Sequence, residues 1–204
     1  MDAMYTGKFN AIAKRLLDVV LAIAALLLLW PLFVVVTIVI KVETRGPVVF
    51  KQLRGGRGGV PVGIYKFRTM NTINGALENS NTQKNDVRVT KFGRILRRLN
   101  IDELPQLFNV IRGEMSLVGP RPHVLAEDEF FSVHIQDYSA RYRVRPGITG
   151  WAQVNGLRGP AEEIETMRRR LAFDLEYIEQ QTLRLDLKII LWTLCSPKAF
   201  LNAY

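Results

Sequence analysis

The run "VVLAIAALLLLWPLFVVVTIVI", residues 19–40, contains no charged side chain and is the strongest compositional signal in the chain. At about 1.5 Å per residue, a helix of this length is about long enough to cross the apolar part of a bilayer. Helices in soluble cores seldom run this far without a polar face. A cleaved signal peptide fits poorly, because the run is long, starts well inside the chain and lacks a small-residue cleavage pattern behind it. We therefore expect a helix that associates with a membrane.

Pro31, in the middle of this run, predicts a break, because proline removes one helical hydrogen bond and clashes with the preceding turn. Basic residues flank the run on both sides, namely Lys8, Lys14, Arg15, Lys41, Arg45, Lys51, Arg54 and Arg57. Under the positive-inside rule both flanks prefer the cytoplasm, which favours a re-entrant helix–break–helix hairpin. A spanning helix with a tolerated kink is the alternative. Asp18 is at helical spacing from Lys14 and Arg15, which can neutralise it at the membrane edge.

The length of 204 residues suits one substantial core and a short accessory element. We divide the chain into a membrane segment, residues 1–45, and a domain, residues 46–204. The net charge of +9 favours anionic partners, which could be nucleic acid, an acidic membrane surface or phosphorylated small molecules. A single cysteine, Cys195, excludes an intrachain disulfide. Two histidines, His123 and His134, without cysteine partners argue against a zinc site.

Short strands and helices are predicted after the apolar run. "GPVVFKQ", residues 46–52, and "VGIYKFRTM", residues 62–70, are typical of a β-hairpin. The glycine-rich loop between them favours a turn over a phosphate cradle, since it lacks the Walker spacing. The polar segment 71–86 predicts an exposed loop that could close over a site.

The second half of the chain predicts helices. Apolar spacing indicates a short helix after Asp102 that ends at Gly113, and another from Pro160 to about Gln181. The last segment, residues 183–204, predicts a helix lying on the bilayer surface, with packing against the domain as the alternative. The predicted fold is thus α+β and mostly helical, with a small hairpin, amphipathic interfacial helices and the membrane hairpin.

An acid pair, Asp102–Glu103, stands in "RILRRLNIDELPQLFNVIRG", residues 94–113, which otherwise carries four arginines and no other acid. One interpretation is a capping box formed by Asn100 and Glu103, or a cap formed by Asp102 itself. The other is a site for a phosphorylated substrate, because a carboxylate at a helix start among guanidinium groups stays ionised. Such a carboxylate can bind Mg²⁺ or act as a nucleophile.

Four blocks together resemble the bacterial sugar transferases, the monotopic polyprenyl-phosphate phosphoglycosyl transferases. They are "KRLLDVV", "GPVVFKQ…YKFRTM", "IDELPQLFNVIRGEMSLVGPRP" and "VRPGITGWAQVNG", and the likeness runs from about Lys14 to Ile190. "KNDVRVTKFG" and the ending "DLEYI…LDLKII" particularly resemble undecaprenyl-phosphate glucose or galactose phosphotransferases. Larger members carry a multi-helix region before this part, so we expect the chain to be the minimal catalytic unit.

The resemblance implies transfer of a hexose 1-phosphate from a UDP-sugar to undecaprenyl phosphate, with release of UMP, as the first step of exopolysaccharide or other surface glycan synthesis. Asp102 matches the family's nucleophile, and Asp102 and Glu103 together are the predicted ligands of Mg²⁺. Asp174 matches an acid of uncertain role, which could instead pair with an arginine to hold the last helix. Base or sugar contacts are possible for Gln153, Asn155 and Trp151, with packing the preferred role for Trp151. The candidate phosphate-binding residues are Lys66, Arg97, Arg112, Arg121 and Arg145, each with solvent or a lipid headgroup as the alternative contact.

These expectations place the catalytic domain on the cytoplasmic face of the bacterial inner membrane, where UDP-sugars are available and the basic surface meets anionic lipid. Two other classes of function compete. One is a membrane-tethered nucleic-acid-binding module, although no nucleic-acid motif occurs and no nucleic-acid partner is predicted. The other is a noncatalytic scaffold subunit, against which the intact acid pair argues.

Overall fold

A computed structural model describes residues 8–71, 86–159 and 163–195, with side chains from residue 11 onward. The helices and strands follow one another along the chain as α1 Lys8–Glu43, β1 Val49–Gly55, β2 Pro61–Phe67, α2 Lys91–Arg98, α3 Gln106–Arg112, β3 Ser116–Val118, α4 Leu125–His134, β4 Gly147–Thr149, α5 Trp151–Val154, α6 Ile164–Gln180 and α7 Leu183–Cys195. Short 3₁₀ turns cover Arg57–Gly59, Ile101–Glu103 and Tyr138–Arg143. The predicted α+β, mostly helical class with a small hairpin is confirmed.

Helix α1 is the long apolar helix that the sequence predicts. In the described part of the chain it is the one helix long and apolar enough to cross a membrane. The helix continues through Pro31, where the sequence predicts a break. Large apolar side chains are exposed along it, including Leu27, Leu28 and Trp30 at 70, 78 and 63 %. Such exposure suits contact with lipid, whereas the re-entrant shape stays a prediction.

The other face of α1 packs on the domain along both of its halves. Ala22, in the first half, lies in one apolar cluster with Leu107 and Val110 of α3. Val36, in the second half, lies in another cluster with Phe67 of β2 and with Leu96 of α2. The membrane segment is therefore built into the domain core, directly beneath the elements that carry the acid pair.

Buried polar contacts fix the amino-terminal part of α1. Lys14 Nζ lies 2.8 Å from Asp18 Oδ1 and 3.1 Å from Asp186 Oδ2 of α7. Asp18 also accepts from the Ser116 hydroxyl at 2.9 Å. The predicted pairing of Asp18 with Lys14 is confirmed, but Arg15 donates to two carbonyls at the carboxyl end of α3, at 2.6 and 2.7 Å. This end of α1 thus has a single register on the domain.

The predicted β-hairpin is confirmed. β1 and β2 pair antiparallel from Val49↔Phe67 to Gly55↔Pro61. The glycine-rich loop is a turn in which Gly58 has φ 69°, a left-handed conformation that glycine adopts readily. Asn109 of α3 donates to a β2 carbonyl at 2.8 Å and accepts from a β2 amide at 3.0 Å. This pairing holds β2, and with it Lys66, against the start of α3.

A second sheet, of two parallel strands, joins the later loops. β3 and β4 pair through Ser116↔Gly147 and Val118↔Thr149. A Cβ on Gly147 would lie 2.1 Å from the Gly119 amide nitrogen, so the two loops approach too closely for a side chain. α6 and α7 cover this sheet with a core of buried side chains, namely Val118, Val154, Tyr177, Ile178 and Ile189.

The predicted helix ending near Gln181 is observed as α6, and Pro160 lies outside the described residues. α7 satisfies both interpretations of the last segment, because Ile189 is fully buried while Leu191 and Leu194 are 60 and 71 % exposed. The predicted loop at 71–86 lies almost wholly outside the described residues, as do residues 196–204.

Candidate active site

The acid pair lies on a sharp turn between α2 and α3. Asn100 takes a left-handed conformation, φ 59°, without capping the turn through its side chain, and Ile101–Glu103 forms the 3₁₀ turn. Pro105 stands at the start of α3, where no side chain caps the helix. The capping interpretation is therefore wrong, and both carboxylates are instead turned into the protein, with Asp102 8 % and Glu103 5 % exposed.

Glu103 is surrounded by cations. Its Oε1 lies 2.9 Å from Lys66 Nζ and 2.8 Å from Arg121 Nη2. Its Oε2 lies 3.2 Å from Arg121 Nη1 and 3.0 Å from Arg158 Nη2. Burial alone would raise the pKa of Glu103, but the charges of Arg121 and Lys66 and the Arg121 hydrogen bonds hold that pKa well below its ordinary value. Glu103 is thus a permanent anion that gathers three cations at one point.

Asp102 has a different environment, although it is the adjacent residue. Within the described ranges no side chain lies within hydrogen-bonding distance of its carboxylate. Burial raises the pKa of Asp102 to about 6, against the lowering effect of Lys66 and Arg97. The expectation that nearby cations keep this carboxylate strongly acidic is therefore corrected, since desolvation outweighs them. At pH 7 the anion still exceeds the acid by about ten to one.

Three of the five predicted phosphate-binding cations lie at the acid pair. Lys66 and Arg121 bind Glu103 directly. Arg97 donates through Nε to Thr69 Oγ1 at 2.8 Å, and its charge acts on Asp102. The structure thus brings together one lysine from β2, one arginine from α2 and one from the proline-rich loop before α4.

The other two lie elsewhere. Arg112 is exposed, donates to the Tyr65 hydroxyl and has its guanidinium carbon 5.2 Å from the centre of the Tyr65 ring. Arg145 Nε donates to the Gly113 carbonyl at 2.8 Å, just past the carboxyl end of α3. The acid pair precedes α3, so the structure does not bring Arg112 or Arg145 to it.

Arg158 is the site residue that the sequence reasoning missed. It follows α5 in a glycine-punctuated loop and is 8 % exposed, with Nη2 3.0 Å from Glu103 Oε2. Neither apolar spacing nor a local charge cluster singles it out. Its position within the last resembling block, just after "VNG", is the one signal that could have found it.

Comparison with known proteins agrees with this geometry. The profile of the bacterial sugar transferase family matches residues 9–197. The chain belongs to the bacterial sugar transferase family. It is 51 % identical over 191 residues to a UDP-glucose:undecaprenyl-phosphate glucose-1-phosphate transferase of Caulobacter vibrioides, covering 94 % of this chain and 72 % of that protein.

Two further relatives differ in length. The protein of the same name from Escherichia coli K12 is 44 % identical over 193 residues, which is 95 % of this chain and 41 % of that protein. The exopolysaccharide production protein PSS of Rhizobium leguminosarum bv. phaseoli is 42 % identical over 194 residues, which is 92 % of this chain and 96 % of that protein. The sugar transferase described here therefore spans less than half of the E. coli relative and nearly all of the Rhizobium one.

Asp174 of this sugar transferase pairs with an arginine, as one of the two interpretations predicts. Its Oδ2 lies 3.0 Å from Arg141 Nη2, and both side chains are 2 % exposed. Asp174 is on α6 and Arg141 in the turn after α4, so the pair joins two elements behind the acid pair rather than touching it.

The predicted base or sugar contacts serve packing in this structure. Gln153 donates to the main-chain carbonyl of Ile148 at 3.1 Å, and Asn155 donates to that of Trp151 at 2.8 Å. The Trp151 ring stacks on Trp192 of α7 with centroids 5.7 Å apart. The preferred packing role of Trp151 is consistent with this contact.

The predicted magnesium ligands fit the ion only in part. Both Glu103 oxygens are occupied by Lys66, Arg121 and Arg158, so Glu103 could bind a metal only by releasing a cation. The described residues contain no cluster of three or more metal-binding side chains. Asp102 offers one carboxylate, and Mg²⁺ is often bound by one carboxylate with substrate phosphates and water.

Proposed function

We propose that this sugar transferase moves glucose 1-phosphate from UDP-glucose to undecaprenyl phosphate, releasing UMP, as the first step of exopolysaccharide assembly. The carrying observation is Asp102, a buried carboxylate without a hydrogen-bonding partner among the described residues, next to cations that Glu103 holds in place. The names of the Caulobacter and Escherichia coli relatives supply the substrates, and that of the Rhizobium relative supplies the polysaccharide.

The reaction proceeds by two displacements at one phosphorus. A carboxylate oxygen of Asp102 attacks the phosphorus that bears glucose, and the bond to the UMP oxygen breaks, with its electron pair leaving on UMP. An oxygen of undecaprenyl phosphate then attacks the same phosphorus, which frees the Asp102 carboxylate and leaves glucose on a lipid diphosphate. Because Asp102 is already ionised at neutral pH, no base has to remove a proton from it.

The cations around Glu103 stabilise the charge that develops during both displacements. Phosphoryl transfer depends mainly on alignment and on neutralisation of oxygen charge. Lys66, Arg121 and Arg158 are already gathered, so little reorganisation is needed when the diphosphate arrives. Glu103 serves as the anchor of this cluster.

Magnesium belongs to the proposal in a narrower form than the sequence suggests. Asp102 is the protein carboxylate that would hold the ion, together with oxygens of the donor diphosphate, and the ion would neutralise charge on those oxygens. Glu103 would not be a ligand, because its oxygens are bound to cations.

We also propose that α1 enters and leaves the membrane on the cytoplasmic face. Lys14 and Arg15, near its start, bind the domain, and at its end the Thr44 carbonyl accepts from Arg68 at 2.8 Å and Glu43 accepts from the Phe92 amide at 3.1 Å. A helix that crosses a bilayer core of about 30 Å has its two ends on opposite sides. One domain on one side could not bind both ends, which supports re-entry.

Topology can be tested by labelling. Single cysteines replace Ala11 and Lys41 in a Cys195→Ser background, and intact cells receive a membrane-impermeant maleimide. We expect neither position to react until the cells are opened. Labelling of one position in intact cells would show that the helix spans.

The proposed reaction is tested with purified protein, Mg²⁺, undecaprenyl phosphate and UDP-glucose labelled in the sugar. We expect labelled lipid and an equal amount of UMP, and, with donor alone, a glucose-phosphate adduct on Asp102 by mass spectrometry. Salt-sensitive oligonucleotide binding without turnover would instead support the nucleic-acid module. Absence of both would support the noncatalytic scaffold.

A further inference from the structure

Behind the cations that bind Glu103 lie two further arginines that do not touch the acid pair. Arg141 Nη2 donates to the main-chain carbonyl of Arg121 at 2.6 Å. Arg170 Nη2 donates to the main-chain carbonyl of Gly159, the residue directly after Arg158. Each of the two loop arginines on Glu103 thus has its backbone held by a second, buried arginine.

His123 stands between these two buried arginines. Its Nδ1 faces Arg141 Nη1, and its Nε2 lies 3.2 Å from Arg170 Nη1. Arginine nitrogens only donate, so a neutral imidazole can accept from one of them and a protonated one from neither. Burial and the charges of Arg141 and Arg170 lower the pKa of His123 well below its ordinary value, which keeps the ring neutral.

Acids from two helices hold Arg141 in place. Asp174 of α6 pairs with it at 3.0 Å. The Tyr138 hydroxyl accepts from Arg141 at 2.8 Å and donates to Asp128 of α4 at 2.8 Å. Arg141 and Arg170 are 3 and 4 % exposed, so neither can contact solvent or lipid freely. Cations buried at this depth need a compensating role, because desolvation is costly.

We propose that Arg141 and Arg170 are positioning residues for the donor diphosphate. Arg141 sets the Arg121 loop and Arg170 sets the Arg158 loop, with neutral His123 as the spacer between them. This inference rests on the proposed function, since it assumes that the cations on Glu103 meet the phosphates of UDP-glucose. A displacement of about 1 Å in such a clamp can cost about a hundredfold in rate.

Two matched double-mutant cycles test the proposal. We expect Arg170→Gln and Arg158→Gln each to lower kcat/KM for UDP-glucose by about ten- to a hundredfold. If Arg170 acts through Arg158, the double variant should be within about twofold of Arg158→Gln alone, because the second change then has nothing left to disturb. The pair Arg141→Gln and Arg121→Gln should behave in the same way.

The crossed pair provides the internal comparison. Arg170→Gln combined with Arg121→Gln should multiply the two losses, since these residues belong to different loops. The KM for undecaprenyl phosphate should change by less than about twofold in every single variant. Arg169→Gln, the exposed neighbour on α6, is the matched control and should leave all constants unchanged.

Folding and function are separated by two further measurements. Each variant is melted, and where a Gln variant does not fold, Arg170→Lys takes its place, since an ammonium can still donate to the Gly159 carbonyl and should recover part of the activity. Losses that multiply equally in matched and crossed pairs would overturn the positioning role. Lower melting temperatures with unchanged kinetics would overturn it too.

The proposed function and this inference fail in different ways. If the wild-type protein makes no labelled lipid from UDP-glucose, the proposed function fails. If the wild-type protein turns over but the matched cycles are multiplicative, only the positioning role fails.

Discussion

The two ends of α3 both collect arginines, yet for different reasons. At the carboxyl end, Arg15 and Arg145 donate to main-chain carbonyls, which a helix leaves unpaired in its last turn. At the amino end, about 10 Å away, Arg121 and Arg158 bind the Glu103 carboxylate. The partner therefore decides the role: cations on carbonyls close a helix, whereas cations gathered on a buried carboxylate are available to an incoming phosphate.

The largest expected effect is at the amino end, on the carboxylate without a partner. Asp102→Asn should lower turnover by at least about a thousandfold, because an amide oxygen cannot form the phosphoryl-enzyme bond. Radiolabelled lipid formation measures the loss, and thermal melting checks the fold. Glu165→Gln, an exposed acid of α6, is the control. Near-normal turnover of Asp102→Asn would reject Asp102 as the nucleophile.

Glu103→Gln should have the next largest effect. It leaves three cations without their counter-charge, so we expect about a hundredfold lower kcat and a loss of about 3 kcal/mol in the free energy of unfolding. The Mg²⁺ concentration at half-maximal rate should stay within about twofold. A clear shift in that concentration would return Glu103 to the metal ligands.

One pair of variants compares the two ends directly. Arg121→Gln should lower kcat/KM for UDP-glucose by about a hundredfold, whereas Arg145→Gln should stay within about twofold and lose about 1 kcal/mol of stability at the carboxyl end of α3. Steady-state kinetics and urea unfolding measure both. A large kinetic effect of Arg145→Gln would show that this arginine reaches the substrate, as the sequence predicts.

The smallest effect is the pH dependence of Asp102. Because burial raises its pKa to about 6, kcat/KM should fall to half near pH 6 and about tenfold for each further pH unit below. A raised pKa also means that ionisation weakens the folded state, so Asp102→Asn should gain stability relative to the wild type as the pH rises from about 4 to 7. Rates that are flat down to pH 5 would contradict the raised pKa.

Local patterns predicted the elements of this fold because they depend on neighbouring residues. The run at 19–40 predicted α1, alternation of β-branched and aromatic residues predicted the β1–β2 hairpin, and Gly113 predicted the end of α3. The acid pair was found from its charge contrast with the surrounding arginines. Its interpretation as a cap was wrong because capping depends on side-chain direction, which residue spacing does not determine.

The sequence by itself determined the apolar anchor, the hairpin and the presence of an unusual acid pair, since each rests on interactions within a few residues. Only the tertiary structure decided which cations serve that pair. Lys66, Arg121 and Arg158 converge on Glu103 from 37, 18 and 55 residues away, whereas Arg112, nine residues away, turns to Tyr65. Charge pairing depends on distance in space, and at these separations only the packing of β2, α3 and the two loops sets that distance.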